Sequence, residues 1–333
     1  MRKFLLFLLV ITLILPLVAC SSSNTATNQP QGFHIYTSMR DTLISALIDD
    51  FIKKHPDIQV AHTIDGAGSL MEHVKTQHAD GNILADIIWT SEIPDFYYMK
   101  NEEMLLRYRP AGADNIFNPL PDTGDCFLPV RLGTMGIAYN LNLVETAPQS
   151  WQDLLKPEFA DGFAIADPST SGTALMSIAL LNDEFGERFF HDLRANGAFI
   201  AQGSSAVVNA VAEGEYAACL AVDYMAFDKI NAGAPIWLAY PPEMIVIPSP
   251  VAIFESSSNQ EAAKKFIDYL ITPAAQQIIA ETGTLPVLKD IPIPESYSIP
   301  PVTDAMSRAI QLNHESLQKW TDDLLNNFLA IMS

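Results

Sequence analysis

The run Val130-Arg131-Leu132-Gly133-Thr134-Met135-Gly136-Ile137-Ala138-Tyr139-Asn140 decides how the rest of the chain is read. It reads as extended, and Gly133 and Gly136 mark it as a bent strand passing between two lobes. On its N-terminal side short β-rich runs alternate with helical patterns. A strand over Phe33–Tyr36 precedes a helix from about Asp41 to Lys54, with Leu43, Ile44, Leu47 and Phe51 on one face and Pro56 closing it. A second strand covers Ile58–Ala61, and Gly66-Ala67-Gly68-Ser69 turns into a helix led by Leu70 and Met71. Ala85–Thr90 is a third strand, with the apolar run of a buried parallel strand.

Beyond Asn140 the pattern restarts. Strands are expected at Phe163–Ala166, Ala198–Ala201, Ala217–Val222 and Ile236–Ala239. Helices open at Ser171, after Gly203-Ser204-Ser205 (capped by Gly214), and after Asp223. A Pro-punctuated stretch from Tyr240 to Pro250 leads into a strand at Val251–Phe254, followed by helices at Gln260–Leu270, Pro273–Thr282 and about Asp304–Met332. Such alternation is the signature of an α/β fold with largely parallel strands. The order predicts two discontinuous lobes: residues 33–130 and 251–333 in the first, 136–239 in the second, with hinge crossings at 131–135 and 240–250.

The N-terminus is read separately. Arg2 and Lys3 precede a run from Phe4 to Val18 that is apolar apart from Thr12 and Pro16, the layout of a secretory signal over residues 1–19. It ends in Leu17-Val18-Ala19-Cys20, which resembles the lipobox of bacterial lipoproteins, so Cys20 is the expected lipidation site and membrane attachment point. The polar stretch after it makes residues 20–32 a flexible tether. Without Arg2 and Lys3 the chain carries 17 basic against 39 acidic residues, a balance of −22. That charge argues against nucleic acid and against a basic membrane-binding face. Cys126 and Cys219 either pair in an oxidising compartment or stand as separate buried thiols, and their spacing decides neither.

The expected strand-to-helix turns share one chemistry. Thr37-Ser38, Ser69, Ser91, Ser171-Gly172-Thr173 and Ser204-Ser205 place hydroxyls and small residues where strands end and helices begin. In an open α/β sheet those turns line the crevice at the carboxyl ends of the strands. Helix starts present free backbone N–H groups and the positive end of the dipole, to which hydroxyls add donors. Any one of these turns is explained by ordinary N-capping. As a converging set they predict a cleft for a compact anion: phosphate, phosphonate or carboxylate.

Catalytic patterns are missing. The sequence has no Gly-x-Ser-x-Gly elbow and no phosphate-loop pattern. His73 and His78 are five apart, not at the spacing of a zinc helix, and the other histidines are scattered. Neither an activated nucleophile nor an acid–base pair can be assembled, and no cofactor is expected.

Ile35-Tyr36-Thr37-Ser38, Gly66-Ala67-Gly68-Ser69, Ala85-Asp86-Ile87-Ile88-Trp89, Gly133–Asn140, Trp151-Gln152-Asp153-Leu154, Ala166-Asp167-Pro168 with Ser171-Gly172-Thr173, and Tyr240-Pro241 occur in that order, followed by a closing stretch over Ala262–Gln276. Together they resemble the extracellular solute-binding proteins of the ferric-iron, phosphonate and sugar-phosphate branch of ABC importers. The resemblance covers about Phe33–Leu288. It implies a two-lobed periplasmic-binding-protein fold of type II, each lobe a doubly wound mixed sheet, that closes around a solute and docks on an ABC permease with its ATPase. It also frames the ligand. Iron binders of this family usually present adjacent tyrosines where this chain has Asp223-Tyr224-Met225-Ala226, and often a histidine in the first loop, where this chain has Thr37-Ser38-Met39-Arg40. One phenolate is thin provision for ferric iron, although Asp223 and Glu243 could add carboxylates. The hydroxyl-rich turns fit a phosphoryl or phosphonyl group better, with Asp223 holding a sugar hydroxyl or an amine at the other end of the ligand. Arg40 and Arg131 either supplement that site or are solvated surface charges. An adaptor for a chemosensory receptor would bind a similar ligand and is the competing class.

Overall fold

The computed structural model describes residues 31–311 and 322–333. The signal, Cys20, most of the tether, and part of the expected C-terminal helix lie outside these residues. Within them, nine strands join one curled mixed sheet, in the order β2-β1-β3-β9-β4-β7-β5-β6, with β8 also paired to β4.

The first half is built from β1 (Gln31–Thr37), α1 (Asp41–Lys54), β2 (Ile58–Ile64), α2 (Ala67–Ala79), β3 (Ile87–Trp89) and α3 (Ile93–Asn101). β1 lies parallel to both β2 and β3. α1 forms because its apolar residues recur on one face, which buries Leu43, Ile44, Leu47, Ile48 and Phe51. Each such side chain contributes roughly 1.5–3 kcal/mol. Phe51 meets Phe33 and Phe266 edge-on, so the helix is fixed in rotation as well as position. It stops at His55 because Pro56 disfavours a helical conformation in the residue before it.

β4 (Leu128–Asn140) carries the chain into the second half, where β5 (Phe163–Ala166), α4 (Gly172–Phe185), α5 (Glu187–Ala195), β6 (Phe199–Ala201), α6 (Ser204–Glu213), β7 (Ala218–Val222), α7 (Asp223–Asn231) and β8 (Ile236–Ala239) follow. β5 is parallel to β6 and β7, and β4 is antiparallel to β7 and β8. β9 (Ile245–Ile253) returns antiparallel to β4 and reaches β3, and α8 (Gln260–Leu270) and α9 (Pro273–Glu281) then cover the first half.

Two expectations are corrected here. The return segment, expected as a Pro-punctuated hinge crossing over 240–250 with its strand beginning at Val251, is strand from Ile245 despite Pro248 and Pro250. Pro248 faces Leu132, whose N–H and C=O both bond Leu285 at 3.0 Å instead. Pro248 therefore sits at a pair that exchanges no ladder bonds, where its missing N–H costs nothing. Pro250 faces Pro129 beside an irregularity in the register. The C-terminal stretch, expected with the first lobe, packs on the other half. Val302 and Ala305 of α10 (Val302–Arg308) join Phe227 and Leu238, and Phe328 of α11 (Asp322–Met332) meets Phe190 edge-on. The apolar faces of α4 and α5 need that cover. Cys126 and Cys219 are both free, the latter buried in β7.

Candidate functional site

A cleft of about 940 Å³ opens between the two halves of the sheet, over the crossing strands β4 and β9. Six helix starts border it: Ser38–Arg40 before α1, Gly66–Ser69 at α2, Ser91–Glu92 before α3, Ser171–Thr173 at α4, Gly203–Ser205 at α6, and Tyr224 in the first turn of α7. Each follows a strand, so the arrangement comes from the fold's parallel units. At Gly66 and Gly68 an added Cβ would meet nothing within 4 Å, so the α2 start borders open space where a solute can approach backbone N–H groups.

Of the residues expected from the sequence, Ser38, Ser69, Ser91, Ser171, Gly172, Thr173, Ser204, Ser205 and Tyr224 line this cleft. Ser171 N-caps α4, its Oγ accepting from the Ala174 N–H at 3.3 Å. The same Oγ lies 2.8 Å from Ser204 Oγ and 3.2 Å from Thr173 Oγ1, so the α4 and α6 starts share one hydroxyl cluster. Three expected residues are placed elsewhere. Thr37 is buried beneath the cleft floor, where its Oγ1 donates to the Trp89 carbonyl and accepts from the Met39 N–H. Asp223 is buried behind the cleft wall and does not line the cleft. Its Oδ2 accepts from Thr134 N and Oγ1 at 2.8 and 3.0 Å, and its Oδ1 from the Tyr224 N–H at 2.7 Å. Glu243 lines a separate depression with Asp183, Glu184 and Arg308. The alternative set of Tyr224, Asp223 and Glu243 is therefore not assembled around one point.

Arg131, weighed above against an exposed surface charge, is buried on β4 at the cleft floor. Its Nε donates to Thr284 Oγ1 at 2.9 Å and its Nη1 to Ser249 Oγ at 3.0 Å. Ser249 Oγ in turn lies 2.8 Å from Ser91 Oγ. No carboxylate of the described residues forms an ion pair with Arg131. Nη2 has no hydrogen bond to a described residue and lies beside Gly133, which also lines the cleft. Burial lowers the Arg131 pKa, and Asp223 opposes that at longer range. A buried cation without an ion-pair partner is costly, so an anion at Nη2 would supply the counter-charge it lacks. Arg40 stands nearby, its guanidinium 4.4 Å from the centre of the Tyr224 ring, with Arg131 at 5.9 Å from the same ring. Arg40 also bonds the Thr282 carbonyl and pairs with Asp228 of α7 at 3.2 Å, tying the α1 start to the opposite half. Burial pushes the Tyr224 phenol above its ordinary pKa despite both cations.

Glu92 is the residue that sequence reasoning missed. It immediately precedes α3, lines the cleft and faces Gly172 across it: a methyl group there would fall 1.6 Å from Glu92 Oε1. Its Oε2 accepts from the Ser91 N–H at 3.2 Å. Burial, helped by Asp95, raises its pKa to about 7. The available signal was its place, one residue beyond a hydroxyl already assigned to the cleft.

Comparisons with known proteins agree with this geometry. Residues 82–305 match the family model for bacterial extracellular solute-binding protein. A "Putative 2-aminoethylphosphonate-binding periplasmic protein" of Salmonella paratyphi A is 24% identical over 261 residues, covering 74% of this chain and 75% of its own. Among solved structures, iron-bound HitA from Pseudomonas aeruginosa superposes with a TM-score of 0.77 at 20% identity, over 91% of this chain and 99% of that one. AfuA from Actinobacillus pleuropneumoniae, with fructose-6-phosphate bound, gives 0.71 at 21% identity over the same shares. The fold is that of the type II periplasmic binding proteins.

Proposed function

This chain belongs to the bacterial extracellular solute-binding proteins, and from that premise we propose that it captures a small organophosphate or organophosphonate in the interlobe cleft and delivers it to an ABC permease and its ATPase. The observation that carries the ligand class is Arg131: buried, without an ion-pair carboxylate among the described residues, and facing a cleft where helix starts converge. A phosphoryl or phosphonyl oxyanion would take Nη2 as a charge-assisted donor and the hydroxyls of Ser171, Thr173 and Ser204 as further donors. The phosphonate name of the Salmonella relative and the sugar phosphate in the AfuA structure support that class. Tyr224 and the likeness to HitA favour ferric iron instead, but the Asp223 carboxylate is taken up by Thr134 and the Tyr224 N–H, and Glu243 lies in a separate depression.

In this reading the lobes are the two halves of the sheet, with α10 and α11 assigned to the second. They close by bending β4 and β9, and Arg40 latches to Asp228 on closing. Lipid on Cys20 holds the protein at the extracytoplasmic membrane face. Cys20→Ala should move it from the membrane fraction to the soluble one, and unchanged processing and partitioning would remove the anchor from the proposal. For the ligand, thermal-shift screening of ligand-stripped protein decides among sugar phosphates, phosphonates, carboxylates and chelated ferric iron, because a solute bound only by the native state raises its melting point. A rise with phosphates or phosphonates is expected; a rise with iron alone would reverse the assignment.

A further inference from the structure

We infer that Glu92 forms a second, oppositely charged pole of the cleft and selects solutes that carry an ammonium group as well as the phosphoryl or phosphonyl group. This deepens the proposed function and rests on it. Two charged side chains line the cleft without an ion pair to any described residue: Arg131 on the floor and Glu92 at the α3 start. Nor do they pair with each other. Between them run Ser91 and Ser249, whose hydroxyls lie 2.8 Å apart, with Arg131 Nη1 a further 3.0 Å beyond Ser249 Oγ. The cleft therefore holds its two unpaired charges apart across a hydroxyl-lined span.

A plain dianion would neutralise Arg131 and leave Glu92 to face it with like charge or to take up a proton, at a site already partly shut off from water. A solute that carries an ammonium group as well satisfies both poles at once, the phosphonyl oxygens on Arg131 and the ammonium on Glu92. Glu92 also reaches Gly172 across the cleft, so an ammonium held there lies where the two halves meet. The first turn of α4 already lies against Glu92, so water is excluded from a pair formed there, which strengthens the attraction.

Matched solute pairs test this: 2-aminoethylphosphonate against ethylphosphonate, and glucosamine-6-phosphate against glucose-6-phosphate. Dissociation constants are measured by calorimetry at pH 8 for wild type and Glu92→Gln, with the melting point of each unliganded protein as a folding control. Wild type should prefer the amino member of at least one pair by about tenfold or more. Glu92→Gln should abolish the preference, by weakening the amino solute and leaving or tightening its neutral-tailed partner. Glu92→Ala, which cannot donate a hydrogen bond, should behave the same way. A preference that survives both substitutions, or a wild type that binds both members of each pair equally, overturns the inference and leaves the phosphonate reading standing. A wild type that binds none of the four solutes overturns that reading as well.

Discussion

Replacing Arg131 with Met keeps most of the side-chain volume and removes the guanidinium, so it separates what that group does for the fold from what it does for the solute. In the unliganded protein Arg131 makes two hydrogen bonds to hydroxyl oxygens, of Thr284 and Ser249, each worth roughly 0.5–1.5 kcal/mol, and a weaker one to Met39 Sδ. Both partners keep another bond, Thr284 Oγ1 to the Leu132 carbonyl and Ser249 Oγ to Ser91 Oγ, so neither hydroxyl is orphaned. Against the lost bonds stands relief from burying a cation without an ion pair, a change that is often neutral or stabilising. Asp223 loses its long-range partner but retains three donors. The melting point of unliganded Arg131→Met should therefore stay within a few degrees of wild type. Binding moves the other way. One charge-assisted hydrogen bond lost from the oxyanion costs about 1.5–3 kcal/mol, a rise in Kd of roughly 10- to 150-fold. Calorimetry on ligand-stripped protein reads the affinity, and a thermal scan reads the fold. Arg131→Lys should fall between, since it restores the charge without the planar fork. Unchanged affinity in a normally folded Arg131→Met would refute the assignment of Arg131 as the anion's counter-charge.

Three further outcomes are expected. Ser171→Ala and Thr173→Ala should each weaken the phosphorylated solute by roughly 0.5–1.5 kcal/mol while Tyr224→Phe changes it little, with Ser171→Ala also lowering stability by about 0.5–2 kcal/mol through the lost N-cap; the reverse order in calorimetry would favour a metal ligand. Gly172→Ala places a methyl group on Glu92 Oε1 and should turn that flexible side chain out of its buried place, so the variant's melting point should lose the Glu92-dependent fall between pH 5 and 7; a fall as steep as in wild type would refute the close approach. Glu92, raised from 4.5 to about 7, binds its proton more tightly in the closed state, so its contribution is fullest below about pH 4.5 and is lost as pH rises through 7. The loss is at most about 3 kcal/mol, less where cleft water screens the charge. The other groups around Glu92 are Asp95, also raised, and Lys75 acting on Asp95; the facing α4 start is uncharged. Melting points of wild type and Glu92→Gln should therefore diverge between pH 5 and 7, and parallel curves would exclude Glu92 as the titrating group.

Elements with strong local signals were legible from the sequence. The helix over Asp41–Lys54 and the strands Phe163–Ala166 and Ile236–Ala239 have their expected limits, because periodicity and breakers fix them locally. The hydroxyl turns were legible for a related reason: where a strand gives way to a helix, topology dictates which face of the sheet they reach. The return strand was hidden because prolines argue against a strand unless the pairing partner is known, and Leu285 is distant in sequence. Charged residues were the least legible. Asp223 was chosen because it follows a strand, yet its carboxylate turns inward onto Thr134, while Glu92, in an equivalent place, turns into the cleft. Composition carries no information about which way a carboxylate faces. The burial of Arg131 likewise depends on Thr284 and Ser249, brought to it only by the folded chain.

The antiparallel pairing of β4 with β9 has a thermodynamic consequence. A hinge made of two irregular linkers samples many shapes when empty, and a ligand that closes it must suppress them. Here both crossings are strands held to one another from Leu128 to Met135, with Pro129, Pro248 and Pro250 limiting backbone freedom further. In the proposed two-lobe reading the empty protein has little linker disorder to surrender, and its motion is reduced to the bend and twist of one ribbon. Affinity in such a receptor is set almost wholly by the contacts at the cleft, so swapping a few cleft side chains should retune the solute without rebuilding the joint.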